Sequence, residues 1–315
     1  MVIPALLSLL FVLEPEVLVT DAKLPAAVVE DLPPKVELIS TGEAPRESLR
    51  LALKPGDVQS VVMEMDMQMK MALGGEERPS PVMPVFAMNA AVVVDEPLPA
   101  GGWKYHFDFT SVDVQAKEKT PPEMATMMKS MIGEMVGMRI SAEIDPLGRQ
   151  RHFEIVSKIT NPMLFQQLES MKQSMSQMAV VLPDDEIGAG GEWVVESKSK
   201  AGGVATRQRA KYRLVSRDGS VIKLAISMHQ AAAEKNSPIE NLPAGATGTL
   251  IGLESDAKGE VESDLTRILP LHGRIVGESV ANMDIEMQGV KSKIDSHTAI
   301  VMTIRPGAPV AKPAP

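Results

Sequence analysis

Within residues 62–73, apolar and polar residues alternate from Met63 to Met71, and methionine occupies every second position. A period of two is typical of a β-strand, so this segment predicts a strand with one thioether face and one charged or amide face. The turn residues Pro55-Gly56-Asp57 precede this segment, and a strand over 58–73 is long enough that it has to bend and twist around a core. The methionines are Met63, Met65, Met67, Met69 and Met71, separated by Glu64, Asp66, Gln68 and Lys70.

Similar patterns, bounded by turn residues, recur through most of the chain. Asp218-Gly219 is a strong hairpin turn and Lys258-Gly259 a weaker one. Because the strands follow one another along the chain, an antiparallel meander is the expected arrangement. We predict strands at 47–54, 58–73, 85–95, 103–116, 138–145, 149–157, 191–200, 204–216, 220–231, 246–256, 259–267, 273–287 and 291–304.

Two segments change to helical periodicity. Thr120-Pro-Pro-Glu123 has the form of a capping box, and apolar residues then recur at three- and four-residue steps, which predicts a helix over 121–137. A second helix is predicted over 162–180, ending before Pro183. Their apolar faces carry Met124, Met127, Met128, Met131, Met135 and Met138 in the first helix and Leu168, Met171, Met175 and Met178 in the second.

These elements predict an α+β fold: a large, curved, half-barrel-like antiparallel sheet with two methionine-rich helices packed in its concave face. The folded domain is expected over 46–304. Residues 23–45 are rich in proline and predict a linker, and 305–315 form a Pro/Ala-rich tail that is expected to be disordered. Residues 1–22 contain an apolar run over 1–13 that fits a signal peptide, although no positive charge precedes it. We therefore expect an extracytoplasmic protein, periplasmic or secreted, without a membrane-spanning helix.

Composition changes this picture in two ways. The 315 residues include 22 methionines but only 3% aromatic residues, so methionine supplies much of the bulky apolar volume. Cysteine is absent, which excludes disulfides and thiolate chemistry, and the net charge of −9 argues against a nucleic-acid partner. None of the five histidines has zinc-helix spacing, and the chain has no nucleophile-elbow or phosphate-loop motif. We therefore expect no enzymatic activity, no cofactor and no metal.

The methionine strand leaves three interpretations open. It can be ordinary core, a plastic lining for a hydrophobic ligand, or a copper(I) site built from thioethers, which is the least favoured. A ligand lining would consist of Met63, Met65, Met67, Met69, Met71, Met124, Met127, Met128, Met131, Met135, Leu168, Met171, Met175 and Met178.

Turn and strand-start residues in the second half carry a resemblance. Ile144-Asp-Pro-Leu-Gly148, Leu182 to Trp193 and Lys211-Tyr-Arg-Leu-Val215 resemble segments of a group of uncharacterised, exported, β-rich bacterial proteins. The curved sheet cupping helices is also similar, at the level of fold alone, to periplasmic lipoprotein-carrier half-barrels. The resemblance implies a hydrophobic cup that shelters acyl chains. The leading expectation is thus a non-enzymatic binding or carrier protein for a lipid, acyl chain or lipidated protein. The alternative is a structural envelope protein with a closed core.

Overall fold

The fold is nearly all-β. The computed structural model describes residues 33–156 and 179–308, apart from short gaps at 202–203, 240–241, 243–244 and 288. Strands make up 63% of the described residues and helix 5%. The predicted α+β class, with two helices in the concave face of the sheet, is therefore wrong. The large antiparallel sheet itself is confirmed.

Fourteen strands and one helix are found among the described residues. In chain order they are β1 (Lys35–Ser40), β2 (Val58–Leu73), β3 (Glu76–Arg78), β4 (Val85–Pro97), β5 (Trp103–Gln115), α1 (Pro122–Gly133), β6 (Arg139–Ile144), β7 (Gln150–Val156), β8 (Glu192–Ala201), β9 (Val204–Asp218), β10 (Val221–Ala232), β11 (Ser237–Pro238), β12 (Ala246–Asp264), β13 (His272–Met287) and β14 (Val290–Pro306).

All strands belong to one sheet, in which neighbours pair antiparallel. The spatial order is β1-β8-β9-β10-β12-β13-β14-β2-β4-β5-β6-β7, while β11 pairs with β12 and β3 with β2. Two meanders are thus joined where the last strand, β14, pairs with β2. The lead-in segment 23–45, predicted to be a linker, contributes strand β1, and β14 runs two residues past the predicted end of the domain.

The sheet curves around a single core. Buried residues from β8 to β10, such as Trp193 and Leu224, belong to the same apolar cluster as Phe107 on β5 and Ile140 on β6. These strands lie far apart in the sheet order, so a flat sheet could not bring them onto one core. The inward face of each strand follows the alternation that the sequence predicts, as in β9, where Ala210, Tyr212 and Leu214 point inward.

Irregular segments, rather than helices, close one end of this core, which we call the closed end. They comprise 41–57, 179–191 and 265–271, and they contribute Leu49, Leu53, Leu182, Ile187 and Leu265 to the interior. Backbone hydrogen bonds hold them together: Leu51 N donates to Pro146 O, Ala52 N to Leu265 O and Leu182 N to Leu147 O, each at 2.8 Å. Because their polar groups are paired, these loops can be buried without helical structure.

Two of the predicted strands differ in the structure. Residues 47–54 form part of the closed end and make only an isolated bridge, between Glu47 and Ile187. The expected turn at Lys258-Gly259 does not form, because β12 continues through it and pairs with β10 on one side and β13 on the other. A side chain at Gly259 would lie 2.1 Å from the carbonyl oxygen of Arg274, so glycine is required there by close approach of β13 rather than by a turn.

Helix α1 connects β5 to β6 and is shorter than predicted, ending at Gly133 rather than Gly137. The expected capping box does not form, since Pro121 is the N-cap and no side chain caps the helix. The Thr120 hydroxyl instead accepts a hydrogen bond from Lys117 N at 2.9 Å. The second predicted helix, 162–180, falls almost entirely on residues 157–178, which lie outside the described part of the chain.

Burial of both tyrosines predicts a sharp response to alkali. The chain has two tyrosines, Tyr105 and Tyr212, which are 4% and 5% exposed. Burial raises the pKa of both phenols, that of Tyr212 to about 12. In the unfolded chain the tyrosine phenols ionise at about pH 10. Their contribution to stability is therefore complete below about pH 10 and is lost as the pH rises towards 12.

We expect tyrosinate absorbance and the loss of circular dichroism to appear together when the protein is titrated with alkali. Protein in concentrated denaturant serves as the control, and should show tyrosinate at about pH 10. Gradual ionisation near that pH with unchanged circular dichroism would show that the phenols are accessible to solvent in the folded protein.

Candidate ligand-binding site

The methionine stripe of β2 runs from the deep core out to solvent. Met63, Met65 and Met67 are 5%, 5% and 4% exposed, whereas Met69 and Met71 are half-buried. The buried three pair with Ile304, Met302 and Ile300 on β14. Since β4 begins at Val85, which lies level with the middle of β2, the outer part of the stripe extends past β4.

Helix α1 adds a second methionine surface to this end of the core, which we call the methionine end. Met128 is buried with the core cluster, and Met124 and Met135 are half-buried against it. Met131 is also half-buried, whereas Met127 is 45% exposed and points away. The main contacts of the helix with the sheet are to β5. Thus β2 and α1, which both carry residues of the predicted ligand lining, contribute to one apolar cluster.

The remaining residues of the predicted ligand lining are those of the second predicted helix. They are Leu168, Met171, Met175 and Met178, which lie outside the described ranges. The structure brings further methionines into the core that the sequence patterns did not single out as lining. These are Met83, Met88, Met228 and Met302, together with Met138, which is 2% exposed just before β6 instead of on the helix. Met228 and Met302 could have been identified because they are in phase with apolar neighbours on their strands.

A groove of about 740 Å³ lies on the outward face of the sheet, away from the methionine surface. Its lining combines Ile39, Val194 and Val276 with exposed charged residues, including Lys211 and Lys258. His229 Nδ1 lies 3.0 Å from Asp256 Oδ1 within it. Its volume is in the range of small-molecule sites, but its charged side chains are exposed and several are ion-paired, so no one ligand chemistry is selected.

A group of charged and polar side chains surrounds the buried His106 on the outward face of β4, β5 and β6. His106 Nδ1 lies 2.7 Å from Asp95 Oδ1, and Asp108 accepts two hydrogen bonds of 2.7 Å from Arg139. His106 Nε2 is buried, lies 3.6 Å from Asp108 Oδ2 and makes no hydrogen bond to a described residue. Because this nitrogen faces a carboxylate rather than a nucleophile, the cluster is best explained as an ion network tying three strands together.

The described residues contain no group of three or more histidine, aspartate or glutamate side chains arranged to hold a metal ion. Within the same ranges, no helix is both long and apolar enough to cross a membrane. The described residues thus form a nearly all-β protein in which β2 and α1 both contribute methionine to the core. No protein-family model and no curated protein matches this chain, so no functional residue can be carried over from a relative.

Proposed function

We propose that this protein binds an apolar ligand, such as a lipid, an acyl chain or a lipidated protein, at the methionine end, and that it acts without catalysis. The observation that carries this proposal is that β2 and α1 both bring methionine to one apolar cluster, through buried Met67 and buried Met128. Met69 and Met71 extend the stripe of β2 beyond Met67 and are half-buried. Unbranched thioether side chains repack around ligands of different shape at low cost.

The cover over this surface is suited to opening. Helix α1 has 12 residues, a length that is marginal for an isolated helix, and no side chain caps its N-terminus. Moving it would expose Met124 and Met128 without breaking the pairing of β5 with β4. The closed end, by contrast, is fixed by backbone hydrogen bonds between its loops.

The test measures displacement of an uncharged fluorescent alkyl probe from natively purified protein, together with mass spectrometry of solvent extracts. We expect a co-purified amphiphile and saturable probe binding. The double variant Met124→Gln/Met131→Gln should weaken probe binding about tenfold or more, since each change replaces a half-buried thioether of α1 with an amide. Val215→Gln is the control because Val215 is 50% exposed on β9, next to the closed end, and it should leave binding unchanged.

A structural protein with a closed core is the second candidate, favoured by the complete burial of Met63, Met65 and Met67 against β14. It predicts an extract without lipid and no saturable probe binding. Under that outcome the double variant would change only stability, and the carrier proposal would be abandoned.

A further inference from the structure

A row of polar side chains crosses the inward face of five neighbouring strands, next to the methionine stripe. Each residue of this polar row pairs with the next across the sheet, and the last one, on β14, pairs with Met69 on β2. The row lies in the same phase as core residues, so its members point inward. The polar row consists of Gln208, Gln230, Ser255, Ser279 and Thr298, which are 8%, 5%, 5%, 1% and 1% exposed.

The hydrogen-bonding capacity of the polar row is not used up within the described chain. Gln230 Nε2 donates to Thr206 Oγ1 at 2.8 Å, and Ser255 Oγ donates to Ser279 Oγ at 2.6 Å. Gln230 Oε1 and Thr298 Oγ1 are buried without a partner among the described residues. Rotating the Gln230 amide by half a turn would leave its nitrogen unpaired instead. A buried polar atom without a partner is costly, so two in one row indicate that a hydrogen-bonding group is missing.

The polar row also lies where the sheet presents little side-chain volume. The row beside it, level with Met67, contains the small residues Ala210, Ala257 and Gly277 among the larger Met228 and Ile300. Nearer the closed end the same strands present Tyr212, Leu224 and Ile275, which are larger. The polar row therefore presents shorter side chains to the core than the rows nearer the closed end do.

The inward face of the described strands is uncharged in this region. Among the described residues, no charged side chain lies in the polar row or in the rows level with Met67 and Met71. A carboxylate or phosphate placed there would lose hydration without gaining a counter-ion, which is strongly unfavourable. An uncharged hydroxyl or amide can donate a hydrogen bond to Gln230 Oε1, and a hydroxyl, ester or amide oxygen can accept one from the Thr298 hydroxyl. Strands are about 4.8 Å apart, so the two unpaired atoms belong to side chains about 14 Å apart, and a ligand would reach both only with several polar groups.

We propose that the polar row recognises the uncharged head group of an amphiphile whose apolar chain lies along the methionine stripe. This inference rests on the proposed function and narrows its ligand to neutral amphiphiles with hydroxyl, ester or amide groups, such as monoacylglycerols, rather than fatty acids or phospholipids. The head group supplies the hydrogen bonds that Gln230 and Thr298 lack.

The test compares a monoacylglycerol with a fatty acid of equal chain length at neutral pH, each displacing the uncharged alkyl probe from the full-length protein. We expect the monoacylglycerol to bind about tenfold more tightly or better, because the carboxylate has to be desolvated. Thr298→Val and Gln230→Met keep the side-chain volume and remove the unpaired atoms. Each should weaken monoacylglycerol binding about three- to tenfold and leave probe binding unchanged.

The matched control substitutions lie on the outward face of β14 and of the neighbouring strand β2. Thr303→Val on β14 and Gln68→Met on β2 make the same chemical changes on the outward face and should leave both ligands unaffected. Equal affinity for the two ligands, with no effect of Thr298→Val or Gln230→Met, would overturn this inference while the carrier proposal stood. Failure of the probe to bind the unmodified protein would overturn both.

Discussion

Met67→Lys is expected to lower the free energy of unfolding by about 3–5 kcal/mol, as is typical for a buried charge without a partner. Met67 is 4% exposed, and Ile300 and Gly277 lie beside it in the sheet. The inward-facing neighbours on these strands offer no carboxylate to pair with an ammonium group. Domains are usually stable by only about 5–15 kcal/mol, so the variant should unfold at a much lower urea concentration.

Gln68→Lys is the control for this variant, because Gln68 is adjacent on β2, exposed and on the outward face. Its effect should stay within about 0.5 kcal/mol. Met67→Leu keeps the apolar volume and should cost less than about 1.5 kcal/mol. If Met67→Lys and Gln68→Lys unfolded at the same urea concentration, the inward face of β2 would have to be exposed in solution.

Alternation from Met63 to Met71, together with the preceding turn Pro55-Gly56-Asp57, explains why β2 was predicted at its observed bounds, Val58–Leu73. A period of two depends only on which face each residue occupies, so local sequence is sufficient to detect it. Gly259 shows the opposite case: lysine followed by glycine favours a turn locally, but pairing with strands on both sides keeps β12 continuous. Tertiary pairing overrode the local signal, and no single-segment pattern could have shown that.

The structure of the closed end could not be predicted from local sequence patterns either. Residues 47–54 have an apolar composition that resembles a strand, and Leu49 and Leu53 are indeed buried. Their backbone groups, however, pair with Pro146 and Leu265, which are distant in sequence, instead of with a neighbouring strand. Burial was therefore predictable from composition, whereas the partner of each amide was not.

The polar row illustrates a signal that was present but easily overlooked. Gln208 is in phase with Ala210 and Tyr212, and Gln230 with Ile226 and Met228, so the alternation placed both glutamines inward. Their polarity suggests solvent exposure when each strand is considered alone. Only the register, which aligns Gln208, Gln230 and Ser255 across the sheet, shows that they form one continuous surface.

Trp193 joins the closed end to the sheet. Its side chain is fully buried, and the indole Nε1 donates a hydrogen bond of 2.8 Å to the carbonyl oxygen of Val181. The ring stacks on Tyr212, with centroids 5.3 Å apart and an interplanar angle of 12°. One side chain therefore ties segment 179–191 to strands β8 and β9.

We expect Trp193→Ala to lower the free energy of unfolding by about 3–5 kcal/mol, because it leaves a large cavity and an unstacked tyrosine. Trp193→Phe keeps an aromatic ring but leaves the Val181 carbonyl unpaired, which should cost about 1–3 kcal/mol. Both are measured by urea denaturation followed by circular dichroism. The matched control is Trp103→Phe, at the other tryptophan, which is half-buried at the start of β5 and should have a smaller effect.

Comparing stability with probe binding in the two sets of variants tests which end of the core binds the ligand. If loops 41–57 and 179–191 are a fixed part of the core, Trp193→Ala should destabilise the whole sheet in one cooperative transition and weaken probe binding only through unfolding. The double variant Met124→Gln/Met131→Gln should do the reverse, changing probe affinity with a small loss of stability. A Trp193→Ala protein that lost probe binding while fully folded would show that the ligand enters through the closed end, and the assignment of the site to α1 and β2 would fail.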